Sequence, residues 1–533
     1  MLRYIADAMG RHPGYVILVT CMAILIALIG WCSLGWPWGA DTQAFLYMAY
    51  LMDAYGYRPY TDFFDIQTPG THLAHLLIYR ICGASYTAVR ALDLVYLLGL
   101  LVVTVSWVRK LGWRIGIFAA LAFGISYFKN QSFMLQREYL ALLPVCVALG
   151  LAVTQSRYPR SFFSLGVGLC FGVAATIKPL MVVGFPLVTA FQIWRIKEDG
   201  RPTRTGGREA FAILSSGLLG FILPISAILL FLYRIGSLGD FVEIVINYWP
   251  LYGALDSGTM HVHSVWEKAK YILFAYLGFG GLSLLLVPSI LGVYIALFVA
   301  QTNPFTRGVV VLVSALAVAF SLTVPVQGKF WDYHWIMFQY FVIVLASLCL
   351  TAQPSSSSNY KKAFPIAVLL ITMVVFARPP GYFWSNLVGR TPHWSSPIGP
   401  PYLTAVNEIS DFLKVYAGPC DRIQPLDNVG PATHGMLLAG VRPATAFLYE
   451  FQFYHHVSHP YIRELKSRFL AQIKSVRPRF VIKVEVPKPK GRDTSEHFQQ
   501  LDDILANDYR LAVTSQGYCI YEVLLPVDCR PHQ

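Results

Sequence analysis

The stretch YVILVTCMAILIALIGWCSLGWPWGAD, residues 15–41, decides the fold, because it carries no charged side chain before its final Asp41. Its apolar part reaches the roughly 20 residues that an α-helix needs to cross a bilayer at about 1.5 Å per residue. No cleavage site of small residues follows it, so we interpret it as a retained first transmembrane helix and not as a signal peptide.

Apolar runs of this kind recur along the chain as far as residue 377 and then stop. The sequence is 55% hydrophobic and only 13% charged, whereas soluble domains carry roughly 25% charged residues. We therefore predict a mainly α, polytopic membrane protein with about eleven transmembrane helices. The predicted spans are residues 15–35, 89–108, 115–128, 139–156, 162–177, 180–194, 210–234, 271–300, 308–325, 335–352 and 364–377.

Lys and Arg residues cluster in alternate links between these runs, for example at residues 109–114, 195–208 and 361–362. The positive-inside rule places such links, together with the N-terminus, in the cytoplasm. The long first loop, residues 36–88, and the C-terminal region then lie on the opposite, periplasmic face. The net charge of +13 is explained by these links, so we expect the lipid bilayer and no nucleic acid as a partner.

The chain divides into a transmembrane domain (1–377), a linker rich in Pro, Gly and Trp (378–400) and a small periplasmic α/β domain (401–533). Helix-like and strand-like patterns alternate in the last region. The helices are predicted at 401–416, 460–476 and 496–507, and the strands at 479–486 and 509–524. An oxidising compartment favours a disulfide among Cys420, Cys519 and Cys529, and the pairing stays open.

The first loop places carboxylates directly after an apolar run, in GADTQAFLYMAY (39–50) and PYTDFFDIQTPG (59–70). Asp41 either caps a helix over residues 42–55 or takes part in chemistry. Asp65 is a candidate substrate ligand, and turn formation is the alternative explanation for an acid in this stretch. Arg58 supplies a positive charge in the same loop.

Two further charged groups stand at the mouths of predicted spans. FKNQSFMLQREYLALLP (128–144) contains Arg137 and Glu138, and AATIKPLMVVGFP (174–186) contains Lys178. Ionisable groups at that depth are costly, so they usually face a cavity or each other. The alternatives are an Arg137–Glu138 pair that only joins helices, and a Lys178 side chain that reaches out to the membrane surface.

The link VQGKFWDYHW (326–335) adds Lys329, Tyr333 and His334 to the same predicted face. Cations beside aromatic side chains suit an anionic lipid head group. Transfer from a polyprenyl phosphate needs a carboxylate to deprotonate a hydroxyl and cations to bear charge as the phosphate leaves. No metal-binding motif is present in the sequence, so we expect no required cofactor, with a divalent ion as the open alternative.

These residues resemble a known family. An acid after the first helix, the Gly-Tyr-x-Pro-Tyr-x-Asp-x-x-Asp stretch at residues 56–65, Arg137-Glu138, Lys178-Pro179 and the run at 329–334 look like the C-type bacterial membrane glycosyltransferases. The aminoarabinose transferases of lipid A and the protein O-mannosyltransferases, glycosyltransferase family 39, are the most similar groups. The motifs are short, and they are specific for the fold more than for the substrate.

The resemblance implies an inverting transferase of the bacterial inner membrane that uses a polyprenyl-phosphate sugar and a hydroxyl acceptor in lipid A, a glycan or a protein. Asp41 is similar in position to the family's catalytic aspartate, and Glu138 to its second acid. Many relatives carry Lys where this chain has Gln67, so phosphate binding is expected at Lys178, Lys329, Arg58 or His334.

Two other functions remain open from the sequence. A flippase or transporter of envelope glycan precursors would show inverted repeats and midplane charges, and neither is clear here. A non-catalytic assembly protein would depend on the residues after Pro379 and tolerate replacement of Asp41.

Overall fold

The structure of the chain is a computed structural model. It describes residues 13–39, 41–128, 131–154, 159–198, 203–255, 266, 269, 282–300, 302–329, 331–351, 369, 400–489 and 493–525. Two compact units divide the chain. The first comprises Met1–Trp36, Arg90–Ile228 and Trp266–Val388, and the second comprises Pro37–Val89, Leu229–Val265 and Gly389–Gln533.

The first unit is built from long apolar helices. In chain order the described helices that lie wholly or mainly in it are α1 (Pro13–Cys32), α4 (Tyr86–Val108), α5 (Trp113–Tyr127), α6 (Arg137–Val153), α7 (Arg160–Ile177), α8 (Gly184–Glu198), α9 (Thr203–Arg234), α12 (Leu282–Tyr294), α13 (Pro304–Gln327) and α14 (Ile336–Ser347). Local sequence sets their ends. Asn303 caps α13 by accepting from the Thr306 N–H at 2.7 Å, and the helix stops at Gly328, whose φ of 62° suits glycine.

Seven helices in the described part of the chain are long and apolar enough to cross a membrane, and α5 and residues Leu285–Val299 are shorter apolar helices. Every predicted span that falls within the described residues coincides with a helix. The short run at 180–194 forms α8 after a 3₁₀ turn, Pro179–Val183. Residues 271–281 of the predicted span at 271–300, the span at 364–377 apart from residue 369, and linker residues 378–399 lie outside the described residues.

The second unit combines the first loop with the C-terminal region. The loop forms α2 (Thr42–Tyr55) and α3 (Pro69–Cys82), and short helices α10 (Leu238–Glu243) and α11 (Trp249–Gly253) follow α9. The C-terminal region adds α15 (Pro400–Tyr416), α16 (Pro431–Ala439), α17 (Pro460–Val476), α18 (Gln499–Asp508) and the strands β1 (Arg422–Leu426), β2 (Arg442–Pro443), β3 (Phe480–Val484), β4 (Tyr509–Ser515) and β5 (Tyr518–Val523). The small α/β region predicted from the sequence is confirmed.

The five strands form one sheet in the order β2-β1-β3-β5-β4. β1 pairs in parallel with β2 and β3, whereas β5 pairs antiparallel with β3 and β4. The predicted strands correspond to β3 and to the β4–β5 hairpin, and β1 was not predicted. Cys420 and Cys519 are free thiols, and Cys529 lies outside the described residues.

One stripe of α2 holds the C-terminal region. Gln43, Tyr47 and Tyr50 recur at the helical spacing i, i+4, i+7. The Gln43 amide donates to the Val429 carbonyl at 3.0 Å, and the two hydroxyls donate to the Val441 and Gly440 carbonyls at 3.0 and 2.6 Å. These carbonyls flank α16 at both ends, so the first loop and the C-terminal region share one packed body.

Candidate active site

The first unit buries a carboxylate at the start of α6. Glu138 is the second residue of this helix and is 1% exposed. The Lys178 ammonium, between α7 and the following 3₁₀ turn, lies 2.7 Å from its Oε1 atom. Lys178 is itself buried, so its side chain does not reach out to the membrane surface. The pair joins α6 to the end of α7.

His334 approaches the same oxygen of this carboxylate. Its Nε2 atom lies 3.5 Å from Glu138 Oε1, and its Nδ1 atom is 2.7 Å from the Lys329 carbonyl oxygen. A carbonyl can only accept, so Nδ1 carries a proton. The Tyr333 ring packs edge-on against the imidazole, with ring centroids 4.6 Å apart. The 3₁₀ turn Asp332–Trp335 therefore aims His334 at Glu138.

Arg137 and Lys329 add positive charge to the cluster. Arg137 acts electrostatically on the Glu138 carboxylate, and Lys329, whose backbone carbonyl accepts from His334, is buried. Within the described part of the chain, Glu138 Oε2 and both amide atoms of the neighbouring Gln136 are buried without a hydrogen-bond partner. Ionisable groups at this depth usually face a cavity or each other.

Asp41 lies in the second unit, at the residue before α2. It occupies the N-cap position but makes no capping hydrogen bond, and its backbone is helical at φ −83° instead of extended. Capping is therefore not what its side chain does. The carboxylate is half-buried, and its role in chemistry stays a prediction.

The other first-loop candidates are also in the second unit. Asp65 is 1% exposed; its Oδ2 lies 3.2 Å from His72 Nε2, and its Oδ1 accepts from the Tyr449 hydroxyl. Arg58 is 44% exposed in its side chain and pairs with Asp62 at 3.1 Å. Asp65 thus ties the loop to the C-terminal region, and Arg58 offers a cation to solvent; their roles as ligands stay predictions.

A second buried ion pair was missed by the sequence analysis. Arg90 and Asp93 on α4 are 1% and 0% exposed and lie 2.5 Å apart. Two opposite charges three residues apart inside an apolar run were a visible signal, because ionisable residues in membrane helices are rarely incidental.

A buried histidine of the second unit lies on α16 and packs against the first loop. His434 stacks on Trp38 with ring centroids 4.9 Å apart. The Tyr86 hydroxyl is 2.8 Å from its Nε2, and the Tyr402 hydroxyl is 3.4 Å from its Nδ1. Burial among these side chains lowers the pKa of His434 from 6.5 to about 3. The folded state thus holds the imidazole neutral.

The pKa of Asp427, the residue that follows β1, is shifted in the opposite direction. Burial raises its pKa from 3.8 to about 6, although its carboxylate accepts from the N–H groups of Asn428 and Ala432 at 2.6 and 2.9 Å, and nearby Glu450 raises the pKa further. Below pH 6 the folded state binds a proton on Asp427 that the unfolded state lacks, which stabilises it. His434 does the reverse below pH 6.5, so the two effects on stability oppose each other between about pH 4 and 6.

We expect Asp427→Asn to reveal the loss of stability that His434 causes as the pH falls. Asparagine keeps an oxygen for one of the two N–H groups, which donate to different carboxylate oxygens, and it cannot titrate. Relative to the unmodified protein, the opening free energy of β1 and α16 should fall by about 1.4 kcal/mol for each pH unit from 6 to 4. Hydrogen exchange of these peptides in the full chain, corrected for intrinsic rates, measures it. If the difference in opening free energy between the variant and the unmodified protein stayed the same from pH 6 to 4, the raised pKa of Asp427 would be contradicted.

The described residues contain no group of three His, Cys, Asp or Glu side chains arranged to hold a metal ion. The expectation that no cofactor is required stays an expectation.

A solved structure shares this fold. The crystal structure of ArnT from Cupriavidus metallidurans bound to undecaprenyl phosphate matches with a TM-score of 0.59 and 11% sequence identity, over 96% of this chain and 98% of that chain. No protein-family model and no curated protein matches the sequence. At this identity the likeness concerns the fold. The chain is a multi-pass membrane protein with the fold of the C-type glycosyltransferases, as the sequence resemblance predicted.

Proposed function

We propose that this protein is an inverting glycosyltransferase that moves a sugar from a polyprenyl-phosphate carrier to a hydroxyl acceptor. The observation that carries the proposal is the buried cluster at the start of α6, where Lys178 and His334 lie against the Glu138 carboxylate. A carboxylate that orients a buried ammonium and an imidazole at this depth suits recognition of the phosphate of a lipid carrier. The neighbour of the same fold was solved with undecaprenyl phosphate, which supports a carrier of this class.

The reaction needs one base and several cations. Asp41 takes the proton of the acceptor hydroxyl, the acceptor oxygen bonds to the anomeric carbon, and the bond from that carbon to the phosphate oxygen breaks. The electron pair stays on the leaving phosphate, where Lys178, Lys329 and His334 bear the charge. A single displacement of this kind inverts the anomeric carbon. Glu138 holds Lys178 and His334 in place instead of acting as the base.

The remaining candidates take supporting roles. Tyr333 packs on His334 and restricts its ring. Arg58 and Asp65 lie in the first loop, where they contribute to binding the sugar or the acceptor. The proposal places the first loop and the C-terminal region at the periplasmic face of the inner membrane, with the N-terminus in the cytoplasm, because the acceptor classes of the resembling family lie outside the cytoplasm.

The first test is release of label from the carrier. Protein purified into nanodiscs is incubated with a panel of radiolabelled polyprenyl-phosphate sugars, and we expect at least one donor to lose its label by transfer or hydrolysis. Lys329→Met should abolish the release. Glu209→Gln is the matched control, because Glu209 pairs with Arg160 at 3.8 Å elsewhere in the first unit. Movement of intact carrier-linked sugars across the bilayer without release would overturn the proposal in favour of a transporter.

A further inference from the structure

The buried ion pair of α4 is isolated from water. Arg90 Nη1 lies 2.5 Å from Asp93 Oδ2, with side-chain exposures of 1% and 0%. Arg90 Nε donates to the Ser33 hydroxyl at 2.9 Å, and its guanidinium lies over the rings of Trp36 and Phe128 at 5.1 and 5.4 Å. Desolvated ion pairs add little net stability compared with apolar packing. Stability alone therefore does not explain why this ion pair is buried in α4.

Asp93 contacts the link between α5 and α6. The Tyr127 hydroxyl, at the end of α5, lies 2.7 Å from both of its carboxylate oxygens. The backbone N–H of Leu135 also donates to this carboxylate. Asp93 thus holds both ends of a link that leads directly into α6.

The conformation of that link needs support. Leu135 has a φ of 51°, in the left-handed region that non-glycine residues rarely adopt. Only two residues separate it from Glu138. The described part of the link, residues 131–136, begins with a 3₁₀ turn at Gln131–Phe133. Met134 N donates to the Gln131 carbonyl at 3.1 Å, and Gln136 N donates to the Phe133 carbonyl at 3.2 Å. A strained residue persists only where its surroundings fix it.

A second connection runs through the aromatic rings. The Tyr127 ring lies beside that of Tyr139, with centroids 4.7 Å apart and planes at 31°. Tyr139 is the neighbour of Glu138 and is fully buried. The hydroxyl that binds Asp93 and the ring that packs against the first turn of α6 therefore belong to one side chain.

We propose that Asp93, paired with Arg90, is a positioning residue that fixes Leu135 and Tyr127 and so sets where Glu138 holds Lys178 and His334. The inference rests on the proposed function. The alternative is that Arg90 and Asp93 only join helices.

The test compares Asp93→Asn with Tyr127→Phe. Displacing a reacting group by about 1 Å can cost on the order of 100-fold in rate. We expect Asp93→Asn to lower kcat for sugar release by roughly 10- to 100-fold with little change in KM. Tyr127→Phe keeps the ion pair and should lower kcat less, in the same direction. Glu209→Gln is again the control.

A double-mutant cycle separates positioning from support. If Asp93 acts through Glu138, Asp93→Asn should not slow a Glu138→Gln protein further, because the group being positioned is already lost. A helix-joining role predicts that the two losses multiply. Hydrogen exchange of residues 131–136 should also be faster in Asp93→Asn, whether or not the protein transfers sugar.

The outcomes distinguish the two proposals. If Glu138→Gln keeps the full rate, the proposed role of the cluster fails, and this inference fails with it. If Glu138→Gln loses activity while Asp93→Asn and Tyr127→Phe both keep it, only this inference is overturned. If Asp93→Asn does not fold, the rate and exchange of Tyr127→Phe decide the question alone.

Discussion

Asp41→Asn is expected to lower the rate of sugar transfer by about 100- to 10,000-fold, the usual contribution of a general base. Asparagine has the same shape as aspartate but cannot take a proton from the acceptor hydroxyl. The side chain of Asp41 makes no capping hydrogen bond to α2, so the change should not shorten or destabilise that helix. The effect should therefore appear in kcat, with the amount of folded protein unchanged.

The measurement is single-turnover release of label from the polyprenyl-phosphate donor at saturating concentration. Asp53→Asn is the matched control, because Asp53 belongs to the same loop and forms an ion pair with Arg80 at 2.7 Å, on an exposed part of its surface. Exposed pairs contribute about 0–1 kcal/mol, so this control should keep the full rate. Full transfer by Asp41→Asn would remove Asp41 from the reaction.

The membrane part of the fold could be predicted from the sequence because hydropathy is a local property. A run such as residues 15–34 satisfies the bilayer by its own composition, and no distant residue needs to be known. The helices at residues 401–416 and 460–476 could be predicted for the same reason, because their apolar residues recur at the helical period. β1 was missed because its five residues include Gln424 and Pro425, and what makes it a strand is pairing with β2 and β3.

The site was harder to predict because its partners are distant in sequence. Glu138 and Lys178 were each recognised as unusual charges, yet nothing local showed that they touch. Asp65 was predicted as a substrate ligand or a turn residue, and nothing local showed that its partner Tyr449 lies in a different part of the chain. Arg90 and Asp93 could have been found, since charges inside an apolar run need a partner, and they are three residues apart.

Replacing either partner of the Glu138–Lys178 pair is expected to destabilise the protein strongly. Removing one partner of a buried ion pair typically costs about 3–5 kcal/mol, because the other charge stays in apolar surroundings without compensation. Glu138→Gln should be the more destabilising change, since it removes the carboxylate that faces Lys178, His334 and Arg137. Lys178→Met should cost less, because His334 still lies 3.5 Å from Glu138. Both variants should transfer sugar much more slowly, with a residual rate that single-turnover measurement can follow.

The double variant Glu138→Gln/Lys178→Met separates stability from function. With neither charge present, the desolvation cost disappears, and we expect most of the lost stability to return while transfer stays slow. Unfolding of the purified protein in nanodiscs, measured for both single variants and the double variant, gives the coupling energy. The Arg160–Glu209 pair, with side chains 17% and 18% exposed and 3.8 Å apart, should show a coupling of about 0–1 kcal/mol in the same assay. Recovery of transfer together with stability would mean that the pair only holds α6 to α7, because a cation needed by a leaving phosphate cannot be replaced by methionine.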